Sequence, residues 1–241
     1  KPYFLVGCMW SSSSYSTRQN EARVTDTVQR LMEWLEFHVM VGFDHFFIYD
    51  NSAANPGADG DLSFLRDVFG ADMITIIPWP FRTCNNNKPK APNMGERSSQ
   101  YAAESSCLDK YGPLTEWMTT IDPDEYLIPS GKYNDLPTLL RDIAEKEPDM
   151  NILNFFSTKP FLKYEHSVPF TKKGKCNEKD ETSQYPDCIA KDPSKTFLQT
   201  YNCECYTLPG PKPDWSDRAR KQIYRPSYVL NHFVHFSLIS H

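Results

Sequence analysis

No stretch of this sequence is apolar for long enough to cross a bilayer, which takes about 20 consecutive apolar residues; the longest runs among its 241 residues are far shorter. No apolar leader opens it either, since Lys1 is followed almost at once by the strand-like run Tyr3-Phe4-Leu5-Val6. A membrane is therefore expected to be met only through an anchor outside this sequence. Basic charge is not in excess. A formal net charge of −5 argues against binding a polyanion backbone, which needs clustered Lys and Arg, so no nucleic acid partner is expected. An acidic chain can still take an anionic ligand where a bound cation or a local basic patch offsets the charge. No Asn-x-Ser/Thr acceptor for an N-glycan occurs, and no Cys-x2-Cys pair of the kind that fits a tetrahedral metal.

What is present is an ordinary globular composition, 39% hydrophobic and 24% charged, at a length that suits one domain able to bury roughly 70% of its unfolded surface. Seven cysteines are many for a cytosolic enzyme of this size. Four of them, Cys176, Cys188, Cys203 and Cys205, fall in a Pro- and Lys-rich stretch without helical or strand period, which reads as disulfides in an oxidising compartment; a zinc site is the competing reading. Cys8, on an apolar strand, and Cys107, on a helix, read as buried thiols.

Strands are expected at Leu5 to Met9, His45 to Tyr49, Met73 to Ile77, Trp117 to Ile121 and Met150 to Phe156. Helices are expected between them. Val24, Val28, Leu31, Met32, Leu35 and Val39 recur at three and four, and Gly42 closes that helix. Further helices fall at Asp61 to Phe69, Gly95 to Tyr111 (stopped by Gly112-Pro113) and Leu136 to Glu147. This alternation implies an α/β fold with a mainly parallel sheet flanked by helices. Past residue 158 the pattern gives way to loops until Gln222 to Leu238, which reads as extended. Ligands of such sheets bind beyond the carboxyl ends of the strands, where Asp50, Asp122 and Asp124 stand.

In Ile121-Asp122-Pro123-Asp124-Glu125-Tyr126 an extended backbone would turn Asp122 and Asp124 to one side. Two converging carboxylates repel unless a cation or proton lies between them, and hard oxygen donors suit Mn²⁺ or Mg²⁺. Asp-Pro-Asp is also ordinary turn chemistry. Of the histidines, His232 and His235 in Asn231-His232-Phe233-Val234-His235-Phe236 would lie on opposite faces of a strand, so at most one meets a given site; His38 and His45 read as structural. Asp217-Arg218-Ala219-Arg220-Lys221 is a compact basic patch, either a solvated loop or a clamp for a diphosphate.

Several blocks resemble glycosyltransferase family 92: Asn20-Glu21; Glu33-Trp34-Leu35-Glu36-Phe37-His38 with Gly42; Phe46-Phe47-Ile48-Tyr49-Asp50-Asn51-Ser52; Gln100-Tyr101-Ala102-Ala103 with Cys107-Leu108; Trp117 to Tyr126; and Val234-His235-Phe236-Ser237. The order and spacing of these blocks carry the likeness over most of the chain. It implies a glycosyltransferase-A (GT-A) fold and an inverting transferase, often a β-galactosyltransferase using UDP-galactose and Mn²⁺, held in the Golgi lumen by a type II membrane anchor. By the same likeness Asp122 and Asp124 form an Asp-x-Asp motif, His235 completes the metal site, and Asn20, Glu21 and Asp50 line the uridine pocket. Arg97 and Gln100, near a helix N-terminus, could approach the donor phosphates or ribose, and Arg218 and Lys221 the diphosphate. Asp217 is the expected general base, with Asp214 beside it as the alternative.

The expectation is thus a single catalytic domain over residues 1–241, with a nucleotide-sugar half at 1–157 and an acceptor-side, loop-rich, disulfide-bearing half at 158–241. Its partners would be a UDP-sugar donor and a glycan acceptor. Two rivals remain: another metal-nucleotide transferase, which would share the acid pair, and a secreted carbohydrate-binding module whose aromatics stack on sugars.

Overall fold

The computed structural model describes residues 1–16, 23–24, 27–54, 60–81, 96–156, 167–169, 189–191, 194–200, 220–233 and 235–239. Strand β1 (Tyr3–Ser11) runs through the middle of the sheet. Its period of two sends Leu5 and Met9 to one face and Val6 and Cys8 to the other. It pairs in parallel with β4 (His45–Asp50) on one side and β6 (Thr115–Thr120) on the other, and β4 pairs in parallel with β5 (Ile74–Pro78). Two short strands, β2 (Tyr15–Ser16) and β3 (Arg23–Val24), form a separate antiparallel ladder.

Helix α1 (Thr27–Met40) presents Leu31, Trp34 and Leu35 to the Leu5/Met9 face. It starts later than the expected helix, because Val24 is committed to β3. Gly42 ends it at φ 99°, a conformation that costs glycine least; a Cβ there would also stand 2.5 Å from Cδ of Pro137. The short α2 (Leu65–Phe69) precedes β5. Helix α4 (Leu136–Lys146) adds Leu136 and Leu140 to the same face, and Asp135 caps it by accepting from the Thr138 backbone N–H at 2.7 Å. Helix α3 (Glu96–Tyr111) covers the opposite face, with Ala103, Cys107 and Leu108 packed against Val6, Cys8, Phe47, Tyr49 and Met118.

Cys8 and Cys107 are joined in a disulfide, so the reading of both as free buried thiols is corrected. The bond ties β1 to α3 across 99 positions of sequence. Each cysteine sits in an apolar setting, and only the packing of the helix on the sheet brings them together.

The parallel run is interrupted on one side. β10 (Arg220–Tyr224) lies antiparallel between β6 and β7 (Ile152–Phe156), giving the order β5-β4-β1-β6-β10-β7. The sheet is thus α/β and mainly parallel, as expected, with a C-terminal strand inserted that the pattern of alternation did not place. After a 3-10 turn at Pro226–Tyr228, β11 (Val229–Phe233) and β12 (Phe236–Ile239) form a hairpin, so the continuous extended segment expected over Gln222 to Leu238 is instead three strands.

The chain divides into two compact units, one of Lys1–Phe156 with Pro213–His241, the other of Ser157–Lys212. The expected halves instead kept 158–241 together; β10 is what returns the C-terminal segment to the first unit. In the second unit the described residues form the antiparallel pair β8 (Ser167–Pro169) and β9 (Ile189–Lys191) and one turn of helix, α5 (Phe197–Thr200). Cys176, Cys188, Cys203 and Cys205 lie outside the described residues. No helix among the described residues is long and apolar enough to cross a membrane.

Candidate active site

Strand β6 ends at Thr120, and the chain turns at once. The Glu125 N–H donates to the Asp122 carbonyl at 3.0 Å, and the Asp122 N–H donates to Glu125 Oε2 at 3.0 Å. Of the two shapes open to Ile121 to Tyr126, an extended backbone and a turn, the chain takes the turn, because these reciprocal bonds satisfy the backbone locally. The turn still keeps the acids together. Asp124 is exposed as a residue, yet crowding around its carboxyl, and then the neighbouring Asp122 charge, push its pKa above the ordinary carboxylate range.

Helix α1 holds this turn from behind. Trp34 Nε1–H donates to the Glu125 carbonyl at 2.6 Å, and the Leu127 N–H donates to His38 Nε2 at 3.2 Å. The other ring nitrogen of His38 bonds the Trp34 carbonyl at 2.8 Å, which fixes Nδ1 as the protonated one. Burial lowers the His38 pKa to about 4, against the raising effect of that carbonyl. The structural role expected for His38 is the one it has. His45 is likewise structural, bonded to the Asp72 carbonyl and the Thr75 hydroxyl.

Helix α3 meets the turn from the other face of the sheet. Gln100 Nε2 donates to Asp122 Oδ1 at 2.8 Å and to Glu104 Oε1 at 3.0 Å. Gln100 was expected beside the donor and is found on the acid turn. Glu104, four residues on, was not singled out in the sequence: nothing local marks one acid of a polar helix as buried. It is 2% exposed, and its Oε2 has no hydrogen-bond partner among the described residues. Burial first, and Asp122 next, push its carboxyl up to about 8, so it is mostly protonated near neutrality.

Lys221, delivered by β10, completes the cluster. Its Nζ lies 2.9 Å from Glu125 Oε2 and 3.6 Å from Asp122 Oδ2, and the residue is 4% exposed. Burial alone would favour the neutral amine; Asp122 and then Glu125 outweigh it and push the Lys221 pKa up. In this structure Lys221 is a sequestered counter-charge to the acids, in place of the open clamp expected from the basic patch.

The other expected residues fall as follows. Asp50 is buried at the end of β4, where Oδ1 accepts from the Ser52 N–H and hydroxyl and Oδ2 from the Leu62 N–H; it organises the loop. Asn20, Glu21, Asp214, Asp217 and Arg218 lie outside the described residues. Arg97 belongs to the first turn of α3. His235 sits in the turn of the β11–β12 hairpin, with Nδ1 3.2 Å from the Arg220 carbonyl oxygen. His232 is buried on β11, stacked on Tyr224.

The carboxylates of Asp122 and Asp124 offer the hard oxygen donors that suit Mn²⁺ or Mg²⁺, beside the positive charge that Lys221 already supplies. Among the described residues, no three His, Cys, Asp or Glu side chains gather into a metal-holding group. Asp122, Asp124 and His235 are thus not drawn into one group here.

No curated protein matches this chain. A solved structure similar to it is the 4-diphosphocytidyl-2C-methyl-D-erythritolsynthase from Anaerococcus prevotii DSM 20548, at 10% identity and a TM-score of 0.35, with 94% of this chain and 73% of that one covered. A likeness that low says nothing about activity. The family model described as glycosyltransferase family 92, in contrast, matches residues 21–241. That span takes in β6, the acid turn, α3 and the C-terminal strands, and with it the chain belongs to glycosyltransferase family 92.

Proposed function

We propose that this member of the family is a metal-dependent inverting transferase of GT-A fold that moves galactose from UDP-galactose to a hydroxyl of a glycan acceptor. The observation that supports it best is the acid turn: Asp122 and Asp124 stand at the carboxyl end of a central parallel strand, the usual place for a ligand of an open α/β sheet. Asp122 and Asp124 would hold Mn²⁺ or Mg²⁺, with His235 as the third ligand that the family likeness supplies. Bound there, such an ion supplies positive charge to the leaving diphosphate.

The protein's own residues prepare that place. Trp34 and His38 fix the backbone on either side of Tyr126, and Gln100 orients Asp122 through one oxygen. Lys221 keeps positive charge beside the turn. Arg97, Arg218, Asn20, Glu21 and Asp50 are proposed on the donor side. Inversion calls for a base within hydrogen-bond reach of the acceptor hydroxyl, on the face away from the leaving group, and Asp217 is proposed for it. A buried disulfide persists in oxidising compartments, so the Cys8–Cys107 bond supports a Golgi or other secretory address.

Thermal-shift screening against a panel of nucleotide-sugars, with manganese and then with chelator, tests the reading. Stabilisation by UDP-galactose only when manganese is present is the expected result. Product analysis should then find free UDP and an extended glycan; pyrophosphate would point to a nucleotidyltransferase, and chelator-insensitive glycan binding without turnover to a binding module.

A further inference from the structure

Resting on the reading of Asp122 as a cation ligand, we infer that Glu104 is a positioning residue for it, acting through the side-chain amide of Gln100. Gln100 Nε2 carries two hydrogens, and both are committed: one to Asp122 Oδ1 at 2.8 Å, the other to Glu104 Oε1 at 3.0 Å. An amide turned over about its last bond would set its oxygen against Asp122 instead. With an acid on each side, only the orientation that puts the nitrogen between them satisfies both. Glu104 thus selects the state in which Gln100 donates to Asp122.

The packing of α3 gives Glu104 a fixed seat. Gln100, Glu104 and Cys107 follow one stripe of the helix at spacings of four and three, and Cys107 is bonded to Cys8 on β1. Nearer the start of the helix, the Trp10 indole N–H donates to Ser99 Oγ at 3.1 Å and the Trp79 indole N–H to the Ser99 carbonyl at 3.1 Å. Glu104 is 2% exposed, and its Oε2 has no hydrogen-bond partner among the described residues. A carboxyl so poorly compensated for lost water costs stability. Its helical neighbours Ala103, Cys107 and Leu108 are apolar core, which an apolar side chain would suit better. What the acid does supply is the bond to Gln100. Burial holds it mostly protonated near neutrality, so it offers that amide a carbonyl oxygen without setting another negative charge beside Asp122. A metal ligand already held by its neighbours has less freedom to lose when the ion arrives, and such outer contacts carry about 10–100-fold in affinity.

The test is Mn²⁺ affinity, read from the electron paramagnetic resonance of free Mn²⁺, on wild type, Glu104→Met, Glu104→Gln, Gln100→Leu, the Glu104→Met/Gln100→Leu double variant and Asp122→Ala. Beside it, nuclear magnetic resonance of the metal-free protein follows how fast the Gln100 side-chain amide protons exchange with water. Glu104→Met keeps the length of the side chain without an acceptor; it should weaken Mn²⁺ binding on the order of tenfold and speed the Gln100 exchange. Glu104→Gln keeps a carbonyl oxygen at the same reach and should restore both to wild-type values. In the Gln100→Leu background Glu104→Met should have no further effect, because the two residues act through one amide. Should Glu104→Met fail to fold, Glu104→Asp, which keeps the acid but shortens its reach, must show the same losses. Binding that is lost in Asp122→Ala but unchanged in Glu104→Met, or losses that multiply in the double variant, would overturn the positioning role and leave the metal reading in place. Absence of Mn²⁺ binding by wild type would sink the metal reading; Gln100 exchange that still quickens in Glu104→Met would then keep Glu104 as the residue that holds Asp122, and unchanged exchange would overturn both.

Discussion

The indole N–H of Trp34 reaches the carbonyl oxygen of Glu125 at 2.6 Å, across 91 positions of sequence. Two of the blocks that carry the family likeness, the helix with Trp34 and His38 and the segment with the acid pair, are therefore one structural device. The helix supplies the donor and acceptor that the backbone of the acid turn lacks, and a third block, with Gln100, grips Asp122 from the other side of the sheet.

Replacing Asp124 by alanine should lower sugar transfer on the order of 10²–10³-fold, the usual loss when one electrostatic stabiliser of a leaving group is removed. The residue is exposed and its charge is repelled by Asp122, so the fold should lose no more than about 0.5 kcal/mol. Turnover assays beside urea unfolding check both halves, and unchanged turnover would refute the metal role.

Trp34→Phe keeps the ring in the core but leaves the Glu125 carbonyl unpaired. Urea unfolding should show a loss of about 1 kcal/mol, the net worth of one part-buried hydrogen bond. Under conditions where the variant stays folded, transfer should still be impaired, because the turn holding Asp122 and Asp124 is no longer pinned. Full activity in the folded variant would mean the turn is held without α1.

Removing the disulfide in a Cys8→Ala/Cys107→Ala variant reopens a loop of 99 residues in the unfolded chain. The chain-entropy model assigns such a loop about 4–5 kcal/mol. Chemical denaturation of the variant against wild type measures it, and a difference under about 1 kcal/mol would contradict a formed bond.

His38 predicts a dependence on acid. Its pKa is lowered to about 4 in the folded chain from 6.5, so between those values the unfolded chain binds more protons and stability rises with pH. The contribution is complete above about pH 6.5 and is lost as the pH falls through 4, in all about 3 kcal/mol. His45 and His232, also lowered by burial, act in the same direction. The measurement is therefore the difference in slope of unfolding free energy against pH between wild type and His38→Gln, which should be shallower; parallel slopes would remove His38 from the account.

Much of this architecture is legible in the bare chain. Leu31 and Leu35 announce the buried face of α1 by their spacing, and the apolar run before Asp122 announces a strand that ends where ligands bind. Such signals are local, since a helix repeats every 3.6 residues and a strand every two. The bounds moved by a few residues where a neighbouring ladder competed, as at Val24. The shape of Asp122-Pro123-Asp124 was open between a strand and a turn, and reciprocal bonds with Glu125 decided for the turn.

The sequence by itself determined the succession of strands and helices and the identity of the acids at the end of β6, because both follow from periodicity and residue chemistry within a few turns of chain. Only the tertiary structure decided that β10 enters antiparallel beside β6, that Cys8 meets Cys107, and that Lys221 and Glu104 are buried with the acids. Those outcomes depend on closing loops between segments about a hundred residues apart, and the gain that favours one closure over another comes from packing surfaces that exist only once the sheet has formed.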